Sequence, residues 1–196
     1  MEPVESVERG LVTFETREEM MSIFPKGGTW VELGVFKGDF AEHMYNVGNP
    51  TDFLLIDLWP DNNFSGDVNG NGSEIFQGDE LYERVKGRFI NNKNIHIIRN
   101  LTYVILNKIP DGEISLVYID ADHSYEGVKR DLSLCRNKVK KGGWICGHDY
   151  LINGEKADKL YKFGVRRAVD EFCKENGLYI KYLAMDGYVS YAIQNL

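Results

Sequence analysis

Short apolar runs alternate with helix-patterned segments along almost the whole chain, and this alternation constrains the fold more than any other feature. Thr29–Leu33 (TWVEL), Phe53–Leu58 (FLLIDL), Asn94–Ile98 (NIHII), Ile114–Ile119 (ISLVYI) and the stretch opening at Gly143 read as strands. Most of these runs are continuous rather than alternating, which predicts burial on both faces. Gly38–Tyr45, Asp79–Phe89, Leu101–Leu106, Tyr125–Val139 and Phe163–Glu175 read as helices between them, with Val128, Leu132 and Leu134 on the apolar side of the Tyr125 segment. Thr13–Phe24 adds a short helix with Thr13 as its cap, so residues 1–28 are expected to be an N-terminal helical segment. Leu178–Leu183 and Tyr188–Ile193 are expected to close the chain as a hairpin around Met185-Asp186-Gly187, supplying one antiparallel edge strand. The pattern predicts an α/β sandwich whose mostly parallel sheet is covered on both faces.

The chain of 196 residues carries no internal repeat and no linker, so residues 1–196 are read as one domain. Residues 60–78, PDNNFSGDVNGNGSEIFQG, form the one compositional break and are read as a lid loop. Within it, Asp67-Val68-Asn69-Gly70-Asn71-Gly72 matches the opening of a calcium loop, but the twelfth position is Gly78 rather than an acidic ligand. A flexible lid is the better reading. The formal net charge of -7 argues against a nucleic-acid or anionic-membrane partner. Cys135, Cys146 and Cys173 form no C-x-x-C pair and are read as reduced thiols, the opening MEPVESVERG lacks an apolar signal core, and a cytoplasmic protein is expected. The segment before Thr29 could cover or swap with a neighbouring copy, which would make a homo-oligomer.

In an open parallel sheet, ligands bind beyond the carboxyl ends of the strands, where strand order reverses. The residues at those ends are therefore the ones to examine. The first strand runs into Glu32-Leu33-Gly34-Val35-Phe36-Lys37-Gly38. Glycines permit a tight turn and a close ligand approach, and the next helix start offers free N–H groups to an anionic group. An ordinary strand-to-helix turn would use the same residues. Only two glycines are present, so this is not the dinucleotide fingerprint G-x-G-x-x-G. Asp57 ends the second strand, nineteen residues past Gly38. It could accept hydrogen bonds from ribose hydroxyls, or it could cap the next turn. Together the two features point to a nucleoside-containing ligand. Trp59 could pack over that ligand or anchor the loop. The fourth strand ends in Asp120-Ala121-Asp122-His123 and the fifth in Gly147-His148-Asp149-Tyr150. If these strands are neighbours, Asp120, His148 and Asp149 can converge on a divalent cation. His43 and His96 lie away from carboxyl ends and are read as structural.

These residues resemble a class I S-adenosylmethionine-dependent methyltransferase. The E-x-G-x-x-x-G of Glu32–Gly38 is similar to that superfamily's first motif, with Glu32, Gly34, Val35, Phe36 and Gly38 implied at the cofactor, and Asp57 with Leu58 is similar to its ribose-binding strand end. YIDADHSYEGVKRDL followed by GGWICGHDY resembles the small metal-dependent O-methyltransferases of the macrocin and mycinamicin sugar-methyltransferase type. The resemblance implies a Rossmann-like, seven-stranded sheet with a reversed last strand. It also implies S-adenosylmethionine as cofactor, a divalent metal on Asp120 and Asp149, and His123 as general base. The acceptor would be a hydroxylated small molecule, a sugar or diol. His148 stands where those relatives usually carry a carboxylate. An imidazole there fits Mn2+ or Fe2+ better than Mg2+. Alternatives are a metal-dependent hydroxylase on the same fold and a non-catalytic nucleoside-binding protein.

Overall fold

A computed structural model describes residues 10–60, 64–67, 73–150 and 163–196 of the chain. Its first strand, β1, is Val12–Phe14, followed by helix α1, Arg17–Ser22. The core then alternates β2 (Thr29–Leu33), α2 (Asp39–Gly48) and β3 (Asp52–Asp57). A small antiparallel pair follows, β4 (Phe64–Asp67) with β5 (Ser73–Phe76), before α3 (Gly78–Arg88). Next come β6 (Ile95–Arg99), α4 (Thr102–Leu106), β7 (Ile114–Ile119), α5 (Tyr125–Lys138) and β8 (Val139–Gly147). Helix α6 (Val165–Asn176) leads to the closing strands β9 (Ile180–Ala184) and β10 (Ser190–Gln194).

The main sheet has eight strands in the order β1-β9-β10-β8-β7-β2-β3-β6. Every neighbouring pair is parallel except those made by β10, which runs against both β8 and β9. Three expectations are corrected here. The sheet has eight strands, not seven, because β1 adds to β9 inside a segment read as helical. Three residues cannot show a periodicity, and Val12 and Thr13 are exposed, so β1 carries no apolar signature. The helix therefore starts later, with Thr16 rather than Thr13 as its cap; the Thr16 hydroxyl accepts the Glu19 N–H at 3.1 Å. The reversed strand is also not at an edge. It inserts between β8 and β9, which leaves β9 parallel to the rest and places its carboxyl end on the same side as theirs.

Residues 60–78 are corrected in part: they contain β4, β5 and the first residue of α3 rather than loop throughout. Asn62, Asn69 and Asn71, with most of the calcium-loop-like stretch, lie outside the described residues.

Strand alternation divides the core into two layers. Val31, Leu33, Ile56, Val117, Ile119 and Ile145 face one side, against Val128 and Leu132 of α5 and Val169 and Phe172 of α6. Trp30, Phe53, Leu55, Leu116, Tyr118 and Cys146 face the other, against Met20 and Met21 of α1, Met44 of α2 and Val85 of α3. Each fully buried side chain of this size contributes about 1.5–3 kcal/mol. Ser124 starts α5 by accepting the Gly127 N–H at 3.1 Å, and Gly177 in the left-handed region ends α6.

Register aligns the strand ends. Leu33 pairs with Ile56 and Ile119, Ile119 with Gly147, Gly147 with Tyr191, and Ala184 with Ser190 and Phe14. Whatever follows this row in the parallel strands, or precedes it in β10, stands on one edge of the sheet. The order reverses between β2 and β7, so that edge is where a ligand is expected.

Candidate active site at the carboxyl edge of the sheet

The β2 side of the edge is built mainly from backbone. Gly34 has φ +88°, and a Cβ there would lie 2.1 Å from the carbonyl oxygen of Asp120. Its small size thus admits the neighbouring β7 end rather than a ligand. Asp57 Oδ2 accepts the N–H groups of Val35 at 2.7 Å and Phe36 at 2.9 Å, and its Oδ1 accepts the Trp59 N–H at 2.9 Å. Phe36 and Trp59 both hold positive φ, +52° and +37°, a costly conformation for bulky residues that Asp57 helps to fix. Trp59 is buried and its indole donates to the Phe36 carbonyl at 2.9 Å, so of its two readings the loop anchor holds. Arg99 reinforces the same turn through the carbonyls of Leu58 and Trp59. Phe36, Leu58 and Leu101 remain exposed apolar groups at this edge.

Glu32 lies beside this turn at 2% exposure, and its Oε2 has no hydrogen-bond partner among the described residues. Burial, with the nearby charges of Asp120 and Asp57, pushes its carboxyl well above the usual range against the pull of Arg17.

The β7–β8 side is built from charged side chains. Asp120 follows β7, its N–H donating to the Leu33 carbonyl at 2.7 Å, and His148 follows β8, its N–H donating to the Ile119 carbonyl at 3.1 Å. Asp149 is buried with φ +62°, which turns its side chain off the strand direction. His123 Nε2 stands 3.2 Å from Asp120 Oδ1 and 3.1 Å from Asp149 Oδ2. These three residues can offer donor atoms that all lie within 4.8 Å of one another. His148 stands close by, its Nδ1 3.8 Å from Asp120 Oδ1 and 3.6 Å from Asp149 Oδ1. Asp122 turns away, accepting the Ser124 N–H at 3.0 Å ahead of α5. Burial opposes protonation of His123, but its hydrogen bond to Asp120 and the charges of Asp149, Asp120 and Asp122 prevail and raise its pKa. For His148 burial is likewise outweighed, by Asp149 and Asp120.

Two residues here carry no site signal in the sequence. Arg17, at the start of α1, follows β1 onto this edge. Its Nη1 is 3.6 Å from Asp120 Oδ2, its Nε 3.9 Å from Asp186 Oδ2, and its guanidinium lies over the Phe40 ring at 4.1 Å. Asp186, in the β9–β10 turn, has its Oδ2 3.8 Å from His148 Nε2 and 3.3 Å from the Ser190 hydroxyl. The parallel direction of β9 is the signal that would have found Asp186, had β10 been placed inside the sheet. A cavity of about 130 Å³ between Phe24, Gly28, Ser115 and Trp144 lies at the opposite, amino edge and takes no part in this site.

Residues 31–150 match the methyltransferase domain family, and the chain belongs to that family. Family and fold together define its class as a methyltransferase domain on a Rossmann-like α/β fold. An uncharacterized protein of Acanthamoeba polyphaga mimivirus, R132, is 28% identical over 143 residues, 70% of this chain and 58% of that protein. The chain thus spans under two thirds of the length of this curated relative. A Corynebacterium glutamicum structure superposes with a TM-score of 0.64 at 13% identity, covering 91% of this chain and 80% of that one. The geranyl diphosphate C-methyltransferase of Streptomyces coelicolor A3(2), solved with Mg2+, geranyl diphosphate and S-adenosyl-L-homocysteine, gives 0.63 at 9% identity over 92% and 80%. The N-methyltransferase NodS of Bradyrhizobium japonicum gives 0.62 at 10% over 91% and 92%. At such identities the likeness is one of fold. Among the described residues, no helix is long and apolar enough to cross a membrane.

Proposed function

We propose that this chain transfers the methyl group of S-adenosylmethionine to a hydroxyl oxygen of a small polyhydroxylated molecule, with the help of a divalent cation. The observation that carries the reading is the convergence of Asp120, His123 and Asp149 beside the Gly34 turn, at the point where strand order reverses.

The residues fit both groups. On the cofactor side, Glu32 Oε2 has no hydrogen-bond partner among the described residues and so keeps hydrogen-bonding capacity, and Phe36, Leu58 and Leu101 offer apolar surface suited to a purine. Asp57 spends three N–H contacts on the turn, yet Oδ1 accepts only one of them and keeps a lone pair for a ribose hydroxyl. On the cation side, donor separations of 3.1 and 3.2 Å match the roughly 3 Å between adjacent ligands of an ion with bonds near 2.1 Å. Two carboxylates and an imidazole suit Mn2+ or Fe2+ better than Mg2+.

A bound cation would polarise the acceptor hydroxyl and lower its pKa. In the transfer the sulfonium S–CH3 bond breaks as the O–CH3 bond forms, and the hydroxyl proton leaves to an imidazole. His123 stands at ligand distance from both carboxylates, while His148 Nδ1 stands about half an ångström farther out. That spacing favours His123 as third ligand and His148 as proton acceptor, the reverse of the roles expected from sequence. Arg17 favours a second reading, in which its guanidinium and a protonated His123 supply the positive charge without a metal.

A thermal-shift panel of S-adenosylmethionine, S-adenosylhomocysteine and NAD tests the cofactor. Either S-adenosyl ligand at a hundredfold excess over its Kd should stabilise the chain by about 2.7 kcal/mol. A shift with NAD alone would overturn the reading.

A further inference from the structure

The amino edge of the sheet, opposite the charged cluster, carries a break in register. Ile114 pairs with Thr29 and Val139, and Leu116 pairs with Trp30 and Trp144. Ser115 between them has no partner in either neighbouring strand, and residues 140–143 of β8 stand opposite that one residue. Irregularities of this kind bend a strand and re-aim its side chains. Here the break borders the cavity of about 130 Å³, lined by Phe24, Leu116 and Trp144 on its apolar side and by Lys26, Ser115 and Lys140 on its polar side. Neither lysine ammonium, nor the Ser115 hydroxyl, makes a hydrogen bond or ion pair among the described residues. Glu113, whose carboxylate accepts the Thr29 hydroxyl at 3.4 Å, does not line the cavity.

We propose that this cavity is a second binding site, for a small organic carboxylate: the apolar body enters between Phe24, Leu116 and Trp144, and the carboxylate meets Lys26, Lys140 and the Ser115 hydroxyl. An apolar pocket with a few convergent polar groups is the usual form of a small-molecule site. The volume is close to the roughly 150 Å³ that admits one benzene ring. Phe24 packs on Trp144 with ring centroids 4.8 Å apart, which gives the body an aromatic wall. Two ammonium groups and one hydroxyl supply charge-assisted donors for a single carboxylate. A phosphate is served less well, because it favours clustered main-chain N–H groups. Those of Gly27, Gly28 and Gly142 are already given to the Gly48 carbonyl, the Thr51 hydroxyl and the Asn195 carbonyl. The site stands at the other end of β7 from Asp120 and does not rest on the methyl-transfer reading.

The test titrates the full chain with benzoate, its neutral analogue benzamide and inorganic phosphate, followed by NMR of the indole N–H groups. Benzoate should displace the Trp144 resonance saturably below about 10 mM and leave that of Trp59 in place. Benzamide and phosphate should each bind at least about tenfold more weakly. Lys26→Gln with Lys140→Gln should weaken benzoate by about tenfold or more, with Tm and the Kd for S-adenosylhomocysteine unchanged, since both lysines are exposed and unpaired among the described residues. Excess S-adenosylhomocysteine should not displace benzoate from wild type. No saturable movement of the Trp144 resonance overturns the proposal. So does benzamide or phosphate binding as tightly as benzoate, or a double variant that binds benzoate like wild type. Displacement by S-adenosylhomocysteine would put benzoate at the catalytic edge and overturn it as well.

Discussion

The two halves of the site are made from different materials. At the β2–β3 side, main-chain N–H groups of Val35, Phe36 and Trp59 close on one carboxylate, Asp57. At the β7–β8 side, Asp120, His123, His148 and Asp149 meet through charged side chains, and two more, Arg17 and Asp186, reach in from α1 and the β9–β10 turn. The first half is a rigid shape that titration of histidine leaves alone. The second changes charge with protons and cations. A methyltransferase has use for both: a fixed seat for the methyl donor, and an adjustable charge for the acceptor. Gly34 is where the halves touch.

The largest effect should come from breaking that contact. Gly34→Ala sets a Cβ 2.1 Å from the Asp120 carbonyl in a backbone with φ +88°, so neither relaxation nor rotation relieves it. A loss of about 3–5 kcal/mol in urea unfolding is expected, with damage to both halves. A loss below about 1 kcal/mol would mean that the strand ends are not packed this closely. Asp57→Ala should come next, at about 2–3 kcal/mol, because it leaves three N–H donors unpaired. Its damage should stay in the first half: weaker binding of the S-adenosyl ligand, with metal affinity within about threefold of wild type.

Glu32→Gln should be the smallest. The buried Glu32 carboxyl keeps its proton above the pH at which the unfolded chain gives it up, so the native state binds more protons there. Stability therefore falls as pH rises from the unfolded carboxyl value toward the higher folded one, and the neutral amide should remove that slope with little change at acid pH. Urea midpoints across the acid-to-neutral range would show it. Equal slopes in both proteins would mean that Glu32 is ionised in place.

Much of this was legible in the sequence because continuous apolar runs fix both the strands and their ends. Ile114–Ile119 is β7 to the residue, and its terminal carboxylate stands where a strand end must be. Asp120, His148 and Asp149 could be expected to converge because adjacent parallel strands bring their carboxyl ends together, while His123 read as a base; the structure sets His123 directly between the two aspartates. Three things were not legible. β1 is too short and too exposed to show a period, so Arg17 could not be placed. The insertion of β10 between β8 and β9 depends on long-range pairing that no local pattern encodes, so Asp186 read as a hairpin turn. The proposed division of labour between His123 and His148 rests on separations that differ by about half an ångström.

The most direct measurement is transfer of labelled methyl from S-adenosylmethionine to a panel of polyhydroxylated acceptors, for wild type and Asp149→Ala, with Mn2+ and with chelator. Wild type should lose about a hundredfold or more on chelation, and Asp149→Ala should be as slow with Mn2+ as without it, while still binding S-adenosylhomocysteine. Equal turnover in both proteins, with and without chelator, would contradict the cation-assisted half of the site.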